Sequence, residues 1–420
     1  MKRVFRRLIV LCVPVFCQVS LLSAQWEHIG GTGNLNVACF AAIGSNLFAG
    51  VNSAYDSGGV MMSTDNGATW RSASTGLPAV KIMSLRAAGT SLFAGPYDAG
   101  VYYSTNLGAN WSGAKSVLTV AYVYDFAAIG SGVLAGTYLN GVYRSTNGGD
   151  DWAAADSGMG VHTINAFLVN GSDVYVATSG SGVYRSTNAG TTWSAVNTGL
   201  SGTYGYIDAL GASATALYAG SYETGVFFST NNGGNWIAAS SGLPKNISIY
   251  NPILSIAVSG SKLFVANYGV GIYLSTNGGS GWSAVNGGLT HLGFRALMVS
   301  GTYLFAGGDS TGICRAPLSA LTTAVDQPSG GVPSTFSLAQ NYPNPFNPTT
   351  TIRYALPERS RVTLSVYNAL GQLVTALVDG EEQAGSHEVK FDGTGIASGV
   401  YFYRLTAGSF VRTLKMSIVR

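Results

Sequence analysis

Two carboxylates in predicted strands have the residue type and placement for acid–base chemistry. Enzymes that cleave glycosidic bonds need two carboxyl groups about 5 to 9.5 Å apart. Asp125 in VYDFAAIG and Asp208 in YIDALGAS lie in the first strands of the third and fifth units of an internal repeat, and these strands are expected to approach a central channel. We treat them as the candidate catalytic pair of a glycoside hydrolase or lyase. The alternative is that each carboxylate caps a strand end or binds water in the channel.

The other residue types that carry out catalysis or bind metals are scattered. The four histidines, His28, His162, His291 and His387, show neither an i, i+4 pair nor the spacing of a zinc site. No Gly-x-Ser-x-Gly nucleophile motif and no phosphate-binding glycine motif stands between a strand and a helix. We therefore predict no metal and no cofactor.

Tyrosines recur in the predicted loop between the second and third strands of several repeat units. They are Tyr97, Tyr138, Tyr222 and Tyr268, and Asp98, Asn140 and Glu223 lie beside them. An aromatic face gives contact area while its hydroxyl stays in water, so these residues are candidates for stacking on sugar rings or gripping a peptide. The alternative is that they are repeat consensus residues that pack neighbouring loops against each other.

The repeat itself is marked by tryptophan. The seven tryptophans are separated by 44, 41, 41, 41, 43 and 46 residues, and such a fixed period predicts a repeat architecture. Each one after the first ends an octapeptide: STDNGATW, STNLGANW, STNGGDDW, STNAGTTW, STNNGGNW and STNGGSGW. A Gly-Val-Tyr-like strand precedes each octapeptide and an LFAG-like strand precedes that one. About four short strands per unit are typical of a propeller blade.

The octapeptide resembles the Asp-box of bacterial neuraminidase repeats, Ser-x-Asp-x-Gly-x-x-Trp, which occurs in sialidases, xyloglucanase-like glycosidases, sortilin-type receptors and photosystem assembly factors. The resemblance implies a structural turn between the third and fourth strands of a blade, away from the binding face. Its residues are Ser63, Asp65, Gly67 and Trp70 in the first copy and Trp111, Trp152, Trp193, Trp236 and Trp282 in the others. The other five copies have asparagine in place of Asp65, which removes the charge that calcium prefers.

The two ends of the repeat region predict how the ring closes. The unit from Phe294 to Arg315 has three strands and no octapeptide after it, whereas Trp26 has no strands before it. We expect Trp26 to supply the outer strand of the last blade, because closure removes unpaired sheet edges. The predicted fold is all-β: a seven-bladed β-propeller over residues 25–319, then a small immunoglobulin-like β-sandwich.

The N-terminus has the order of a secretory signal peptide. The basic segment MKRVFRR is followed by an apolar segment and by Ser23 and Ala24 ahead of Gln25. We predict a signal peptide over residues 1–24 and no transmembrane helix after its removal. Without the four cationic residues of this segment the formal net charge falls from +3 to −1, so nucleic acid is not an expected partner.

Two cysteines, Cys39 and Cys314, lie outside the predicted signal peptide. We expect two reduced, buried thiols in strands. A disulfide between them is the alternative that a compartment outside the cytosol permits.

A different domain follows the repeat. A Ser, Gly and Pro-containing stretch marks a linker over residues 320–335, and alternating strands suit a β-sandwich over residues 336–420. This region resembles the type A sorting domain of the type IX secretion system, through NALGQLV, GVYFYRL, LKMSIVR and the opening motif Tyr342, Pro343, Asn344, Pro345, Phe346, Asn347 and Pro348. The resemblance implies export across an outer membrane, with the type IX machinery as a partner. It is also similar to a domain of flagellar hook-capping proteins, and an ordinary adhesive module is the alternative.

The sequence thus predicts a secreted or surface-displayed propeller that acts as a non-catalytic binding or scaffold module. Its expected ligand is an extracellular glycan or an envelope protein. A sialidase is disfavoured, because of the six arginines in residues 25–319 only Arg86 and Arg295 lie near an innermost strand. The alternatives are a glycosidase or lyase acting on extracellular polysaccharide and an assembly factor for an envelope complex.

Overall fold

The computed structural model describes residues 25–322 and 336–419, apart from residues 34, 53–57, 116–117, 119–121, 161, 201–204, 247–248 and 342–343. The predicted signal peptide, the predicted linker from residue 323 onward, and Tyr342 and Pro343 of the sorting motif lie outside the described residues. The described part of the chain is built from strands and contains no helix.

Residues 25–322 contain thirty of these strands. In chain order they are β1 (Glu27–His28), β2 (Asn36–Ile43), β3 (Asn46–Asn52), β4 (Gly59–Ser63), β5 (Arg71–Ser72), β6 (Ile82–Ala88), β7 (Ser91–Pro96), β8 (Tyr102–Ser104), β9 (Ser112–Gly113), β10 (Val123–Ile129), β11 (Gly132–Thr137), β12 (Val142–Ser145), β13 (Ala153–Ala154), β14 (Ile164–Asn170), β15 (Asp173–Thr178), β16 (Gly182–Ser186), β17 (Ser194–Ala195), β18 (Ile207–Ala212), β19 (Leu217–Ser221), β20 (Val226–Ser229), β21 (Ile237–Ala238), β22 (Lys245–Asn246), β23 (Ile249–Tyr250), β24 (Ile253–Ser259), β25 (Lys262–Asn267), β26 (Gly271–Ser275), β27 (Ser283–Ala284), β28 (Phe294–Ser300), β29 (Tyr303–Gly308) and β30 (Ile313–Pro317).

Within these described residues the strands form seven four-stranded antiparallel sheets, which are the blades of a β-propeller. Blade 1 is β2–β5, blade 2 is β6–β9, blade 3 is β10–β13, blade 4 is β14–β17, blade 5 is β18–β21, blade 6 is β24–β27, and blade 7 is β28–β30 with β1. The first strands contact one another in sequence, and β28 returns to β2, so they form a closed ring around a channel.

The packing explains the LFAG-like strands. Each second strand lies between its own sheet neighbours and is covered by adjacent blades, so β7 and β11 are almost entirely buried. This burial favours a continuous apolar run rather than alternation. The glycine in that run allows close approach, because a Cβ atom at Gly136 would collide with Ile164 of the next blade.

The longest tryptophan spacing has a local cause. Between blades 5 and 6 the chain adds a small hairpin, β22 paired with β23. This insertion lies between Trp236 and Trp282, the pair that is 46 residues apart. The blade period is therefore interrupted by an addition outside the sheets.

The ends of the propeller meet in blade 7. Strand β1 pairs with β30 through Glu27 opposite Arg315 and His28 opposite Cys314. Trp26 is 2% exposed and donates its indole N–H to the Val285 carbonyl of blade 6 at 2.6 Å. Four octapeptide tryptophans make the matching bond to the blade before their own: Trp111 to Ala73, Trp193 to Ala155, Trp236 to Val196 and Trp282 to Ala239. Trp26 therefore takes the structural place of the tryptophan that blade 7 lacks.

The octapeptides form turns held by their own side chains. In blade 1 the Ser63 hydroxyl donates to Asp65 Oδ1 at 2.7 Å and accepts the N–H of Gly67 at 2.9 Å. Gly67 has φ of 78°, a left-handed conformation that glycine adopts without strain. Asparagine oxygens accept the same bonds in the other copies, such as Asn188 from Ser186. The acidic and neutral forms of the turn thus share one geometry.

Residues 336–419 form a separate two-sheet unit. Its strands are β31 (Ser337–Leu338), β32 (Thr349–Leu356), β33 (Ser360–Asn368), β34 (Leu373–Glu382), β35 (Gly385–Asp392), β36 (Gly399–Ala407) and β37 (Phe410–Ile418). One sheet has the order β31-β32-β35 and the other β34-β33-β36-β37. Side chains such as Ile352, Leu364 and Tyr403 are fully buried in its core. The all-β fold class, a propeller followed by a small sandwich, is confirmed.

Candidate functional site

The channel is shaped by a β-bulge that recurs in every blade. The pairing of each first strand with its second strand skips one residue near the start of the first strand. Such a bulge re-aims the extra side chain. We call these seven residues the bulge ring: Ala38, Met83, Tyr124, Asn165, Asp208, Leu254 and Arg295. All seven line one cavity of about 610 Å³ in the channel.

The bulge ring is polar on one side, across blades 3 to 5. There Tyr124, Asn165 and Asp208 occupy consecutive positions. The Asn165 amide donates to the Ile207 carbonyl at 2.9 Å and to Asp208 Oδ1 at 3.1 Å, and its oxygen accepts from the Ser179 hydroxyl at 3.0 Å. Both the nitrogen and the oxygen of the Asn165 side chain thus make hydrogen bonds within the protein. Asp208 is the residue of this group with an oxygen that accepts no hydrogen bond.

Asp208 is the unusual ionisable group of this site. Its Oδ2 atom is buried and has no hydrogen-bond partner among the described residues. Burial disfavours the ionised form and raises the pKa of this carboxyl to about 6. No positively charged side chain offsets that effect. Asp208 therefore keeps its proton to a higher pH than an exposed aspartate does.

Asp125 is in a contrasting environment. Arg86 Nη2 lies 3.2 Å from both carboxylate oxygens, while the Phe126 N–H donates to Oδ1 and the Phe167 N–H to Oδ2, each at 2.8 Å. Arg86 Nε also donates to the Phe126 carbonyl at 2.8 Å. Asp125 thus ties blades 2, 3 and 4 together, and both of its oxygens are occupied. The structure places both predicted carboxylates along the channel, but only Asp208 has a free oxygen.

A cluster of tyrosines lies at the same end of the channel as the bulge ring. The rings of Tyr97 and Tyr122 are 4.8 Å apart edge to face, Tyr122 and Tyr138 are 6.1 Å apart, and Tyr138 and Tyr124 are 5.9 Å apart. Tyr97 is 47% exposed and Tyr138 is 43% exposed. We call these four residues the tyrosine cluster. Tyr122 and Tyr124 were not among the predicted residues, although the segment YVYD places both within three residues of Asp125.

The other two predicted tyrosines lie apart from this cluster. Tyr222 is 50% exposed, and its N–H donates to the carbonyl of Tyr206, another exposed tyrosine. Tyr268 donates its hydroxyl to Asp309 at 2.6 Å, which raises the pKa of the phenol, and the Arg295 guanidinium lies 4.8 Å from its ring centre. The predicted partial ring of tyrosines is therefore a cluster on blades 2 and 3, with single residues elsewhere.

The polar residues predicted beside these tyrosines have modest contacts. Asp98 is exposed at the tip of its loop with φ of 55°, and Asn140 is exposed in the corresponding loop of blade 3. The Glu223 N–H donates to the Ser221 hydroxyl at 3.3 Å. The octapeptide turns lie at the opposite ends of the third strands, away from this face.

The described residues contain neither a metal-binding group nor a disulfide. No set of three His, Cys, Asp or Glu side chains in this part of the chain could hold an ion. Cys39 and Cys314 are free thiols, Cys314 is buried as predicted whereas Cys39 is half-buried, and desolvation raises the pKa of each to about 12. The disulfide alternative is absent here, and both cysteines lie in strands.

The sorting motif packs into its own domain. Phe346 is 2% exposed, and its N–H donates to the Ser417 carbonyl at 3.0 Å. The Asn344 side-chain oxygen accepts the Ser417 N–H at 2.8 Å, and the Gly393 N–H donates to the Pro348 carbonyl at 2.7 Å. Pro345 and Asn347 between them are exposed. The motif thus seals one end of the sandwich.

Comparison with protein families identifies the tail. Residues 340–419 match the family of secretion system C-terminal sorting domains. The tail is a secretion sorting domain. Domains of this family mark proteins exported through the type IX secretion system, so the chain reaches the cell surface or the extracellular space by that route. No helix in the described residues has the length and hydrophobicity that crossing a bilayer requires.

Solved structures resemble the chain in fold. YCF48 bound to D1 peptide is 18% identical with a TM-score of 0.55, covering 70% of this chain and 97% of that one. PorZ of Porphyromonas gingivalis, a surface component of the type IX system, is 16% identical with a TM-score of 0.50, covering 91% and 59%. The GH74 xyloglucanase of Xanthomonas campestris is 16% identical with a TM-score of 0.55, covering 79% and 59%. No curated protein matches the chain.

Proposed function

We propose that this exported propeller is a non-catalytic binding module whose ligand is an extracellular glycan. The observation that carries the proposal is the tyrosine cluster, in which two half-exposed rings, Tyr97 and Tyr138, pack with Tyr122 and with Tyr124, a lining residue of the channel cavity. Tyrosine rings offer apolar faces to sugar rings, while their hydroxyls remain available for hydrogen bonds to sugar hydroxyls. The position of the cluster, opposite the structural turns, supports the same assignment.

A hydrolytic role is less well supported. Catalysis by two carboxylates requires each of them to exchange protons with, or attack, a substrate. Asp125 already accepts from Arg86 and two backbone N–H groups, so its use would break contacts that join three blades. The xyloglucanase likeness is a likeness of fold, and a fold of this kind hosts unrelated activities.

A protein ligand is the second candidate function. Leu139, beside Tyr138, is 57% exposed and adds apolar surface to the tyrosine cluster. Exposed aromatic and aliphatic side chains together suit a peptide as well as a sugar. The structurally similar YCF48 was solved with a peptide bound. Such a ligand would favour a scaffold or assembly role in the envelope.

A glycan array with matched variants tests the proposal. The full exported chain is compared with a Tyr97→Ala, Tyr138→Ala double variant and with a Tyr206→Ala, Tyr222→Ala double variant. Each variant loses two exposed tyrosines, but only the first pair belongs to the tyrosine cluster. We expect glycan binding that the first variant loses and the second retains. Absence of glycan binding, or equal loss in both variants, would contradict the proposal and direct the search to protein partners.

A further inference from the structure

Asp208 is a carboxylate without a countercharge in the channel. Its Oδ1 accepts one hydrogen bond from Asn165, and its Oδ2 accepts none. An ionised carboxylate accepts about four hydrogen bonds, so most of this capacity is unused. Buried charges in proteins are normally paired or hydrogen-bonded. Asp208 also lines the channel cavity, so a cationic group of a ligand in that cavity could pair with this carboxylate.

The cationic side chains along the channel are already committed. Arg86 contacts both oxygens of Asp125, and Arg295 contacts both oxygens of Asp309 at 2.8 Å. Strands β14, β19 and β24, which pack against the strand of Asp208, carry no charged residue in their sequences. Strand β15, also in contact, carries Asp173, which pairs with Arg185. Within the described residues, nothing neutralises Asp208.

The surroundings disfavour a divalent cation. Calcium takes six to eight oxygen ligands, whereas the Asn165 oxygen beside Asp208 already accepts the Ser179 hydroxyl. An ammonium group needs fewer partners, and it also binds over the face of an aromatic ring. Tyr124 supplies such a ring on the polar side of the bulge ring, and it contacts Tyr138 of the tyrosine cluster.

The cavity has room for a ligand group. Its volume of about 610 Å³ falls within the range of about 300 to 1,000 Å³ that is typical of small-molecule sites. Tyr124 of the tyrosine cluster and Asp208 both line it. A ligand that lies on the tyrosine cluster and extends past Tyr124 would therefore enter the cavity that contains Asp208.

We propose that the channel mouth is a subsite for the protonated amino group of an amino sugar, with Asp208 as its ionic partner and Tyr124 as its aromatic wall. This inference rests on the proposed glycan-binding function and specifies the sugar class. The tyrosine cluster would hold the neighbouring sugar rings. A free amine would distinguish the ligand from its N-acetylated form, which has no positive charge.

Two oligosaccharides that differ only at nitrogen provide the test. Titration calorimetry at near-neutral pH compares a β-1,4-linked glucosamine tetramer with the corresponding N-acetylglucosamine tetramer on the full exported chain. Charge-assisted hydrogen bonds are among the stronger ones, so we expect the free amine to bind about tenfold more tightly or better. In Asp208→Asn that preference should vanish, whereas Asp151→Asn, at an exposed octapeptide turn away from this face, should keep it.

The outcomes separate this inference from the proposed function. Equal affinity for the two tetramers, with binding lost in the Tyr97→Ala, Tyr138→Ala variant, would overturn the amine subsite and leave glycan binding intact. A preference that survives Asp208→Asn would also overturn it. If Asp208→Asn does not fold, Tyr124→Leu serves instead and should reduce the preference. Tighter binding of a tetralysine peptide than of the glucosamine tetramer would overturn the sugar assignment.

Discussion

Replacing Asp208 by asparagine should change the pH dependence of stability in a defined direction. The carboxyl pKa is raised from 3.8 to about 6 by burial, so the folded protein holds the Asp208 proton more tightly than the unfolded chain does. Below about pH 4 both states are protonated and there is no penalty. As the pH rises toward the folded-state pKa, the wild-type protein loses stability, and above it the loss is complete.

The size of the effect follows from the difference of about two units. Each pKa unit corresponds to about 1.4 kcal/mol, so ionised Asp208 should destabilise the folded protein by about 3 kcal/mol. The Asp208→Asn variant does not titrate at this position. Its new amide donor, in the place of the unpartnered oxygen, would cost about 1 to 3 kcal/mol, but equally at every pH. The pH dependence of the stability difference between the two proteins therefore reports on the Asp208 carboxyl alone.

Urea unfolding, followed by tryptophan fluorescence at about pH 4 and about pH 7.5, measures this difference. We subtract the free energy of unfolding of the wild type from that of Asp208→Asn at each pH. We expect this difference to be about 2 to 3 kcal/mol larger at about pH 7.5 than at about pH 4. The Asp98→Asn variant, changed at an exposed carboxyl, should show no comparable gain. A difference that is independent of pH, or one that moves the opposite way, would refute the claim that Asp208 lacks a cationic partner.

Four further changes test other parts of the molecule. Trp26→Ala should lower stability by about 3 to 5 kcal/mol, because a buried indole that joins blades 6 and 7 is replaced by a cavity. Trp70→Ala should cost less stability, since that indole is partly exposed and donates to Gly67 of its own turn. If urea unfolding shows the same loss of stability in both variants, Trp26 does not have a special role in joining blades 6 and 7. Trp193→Ala, which removes a bond to Ala155 of blade 3, should resemble Trp26→Ala, and an unchanged unfolding midpoint would count against it. Deleting residues 336–420 should leave the propeller in the periplasm, which immunoblots of cell fractions would show, whereas continued release would contradict a sorting role for the tail.

The repeat made the blade positions predictable, but not the direction of the channel side chains. The octapeptides are local turns whose hydrogen bonds span two to four residues, so Ser63 and Gly67 can be recognised from spacing alone. The bulge ring depends on the register between neighbouring strands, which spacing does not reveal. Asp125 and Asp208 were therefore predicted as one pair, although Asp208 is a bulge residue and Asp125 follows the bulge residue Tyr124.

The tyrosines illustrate the same limit. Tyr97 and Tyr138 were identified from a loop position, but Tyr122 and Tyr124 come from the segment that enters the first strand of blade 3. Their contact with the loop tyrosines arises only when blades 2 and 3 are side by side. Tyr268 looked identical in sequence, yet the charged pair next to it, Arg295 and Asp309, engages its ring and hydroxyl. Long-range neighbours decided which tyrosines remained available.

The pairing of β1 with β30 also has a mechanical consequence. A pull on the C-terminal tail is transmitted first to β30, which is the last strand of the propeller in the chain. That strand is hydrogen-bonded to β29 on one edge and to β1 on the other, so it cannot peel away as a free edge would. Strand β1 thus holds in place the strand that would receive this force first, in a protein whose sorting domain is its tail.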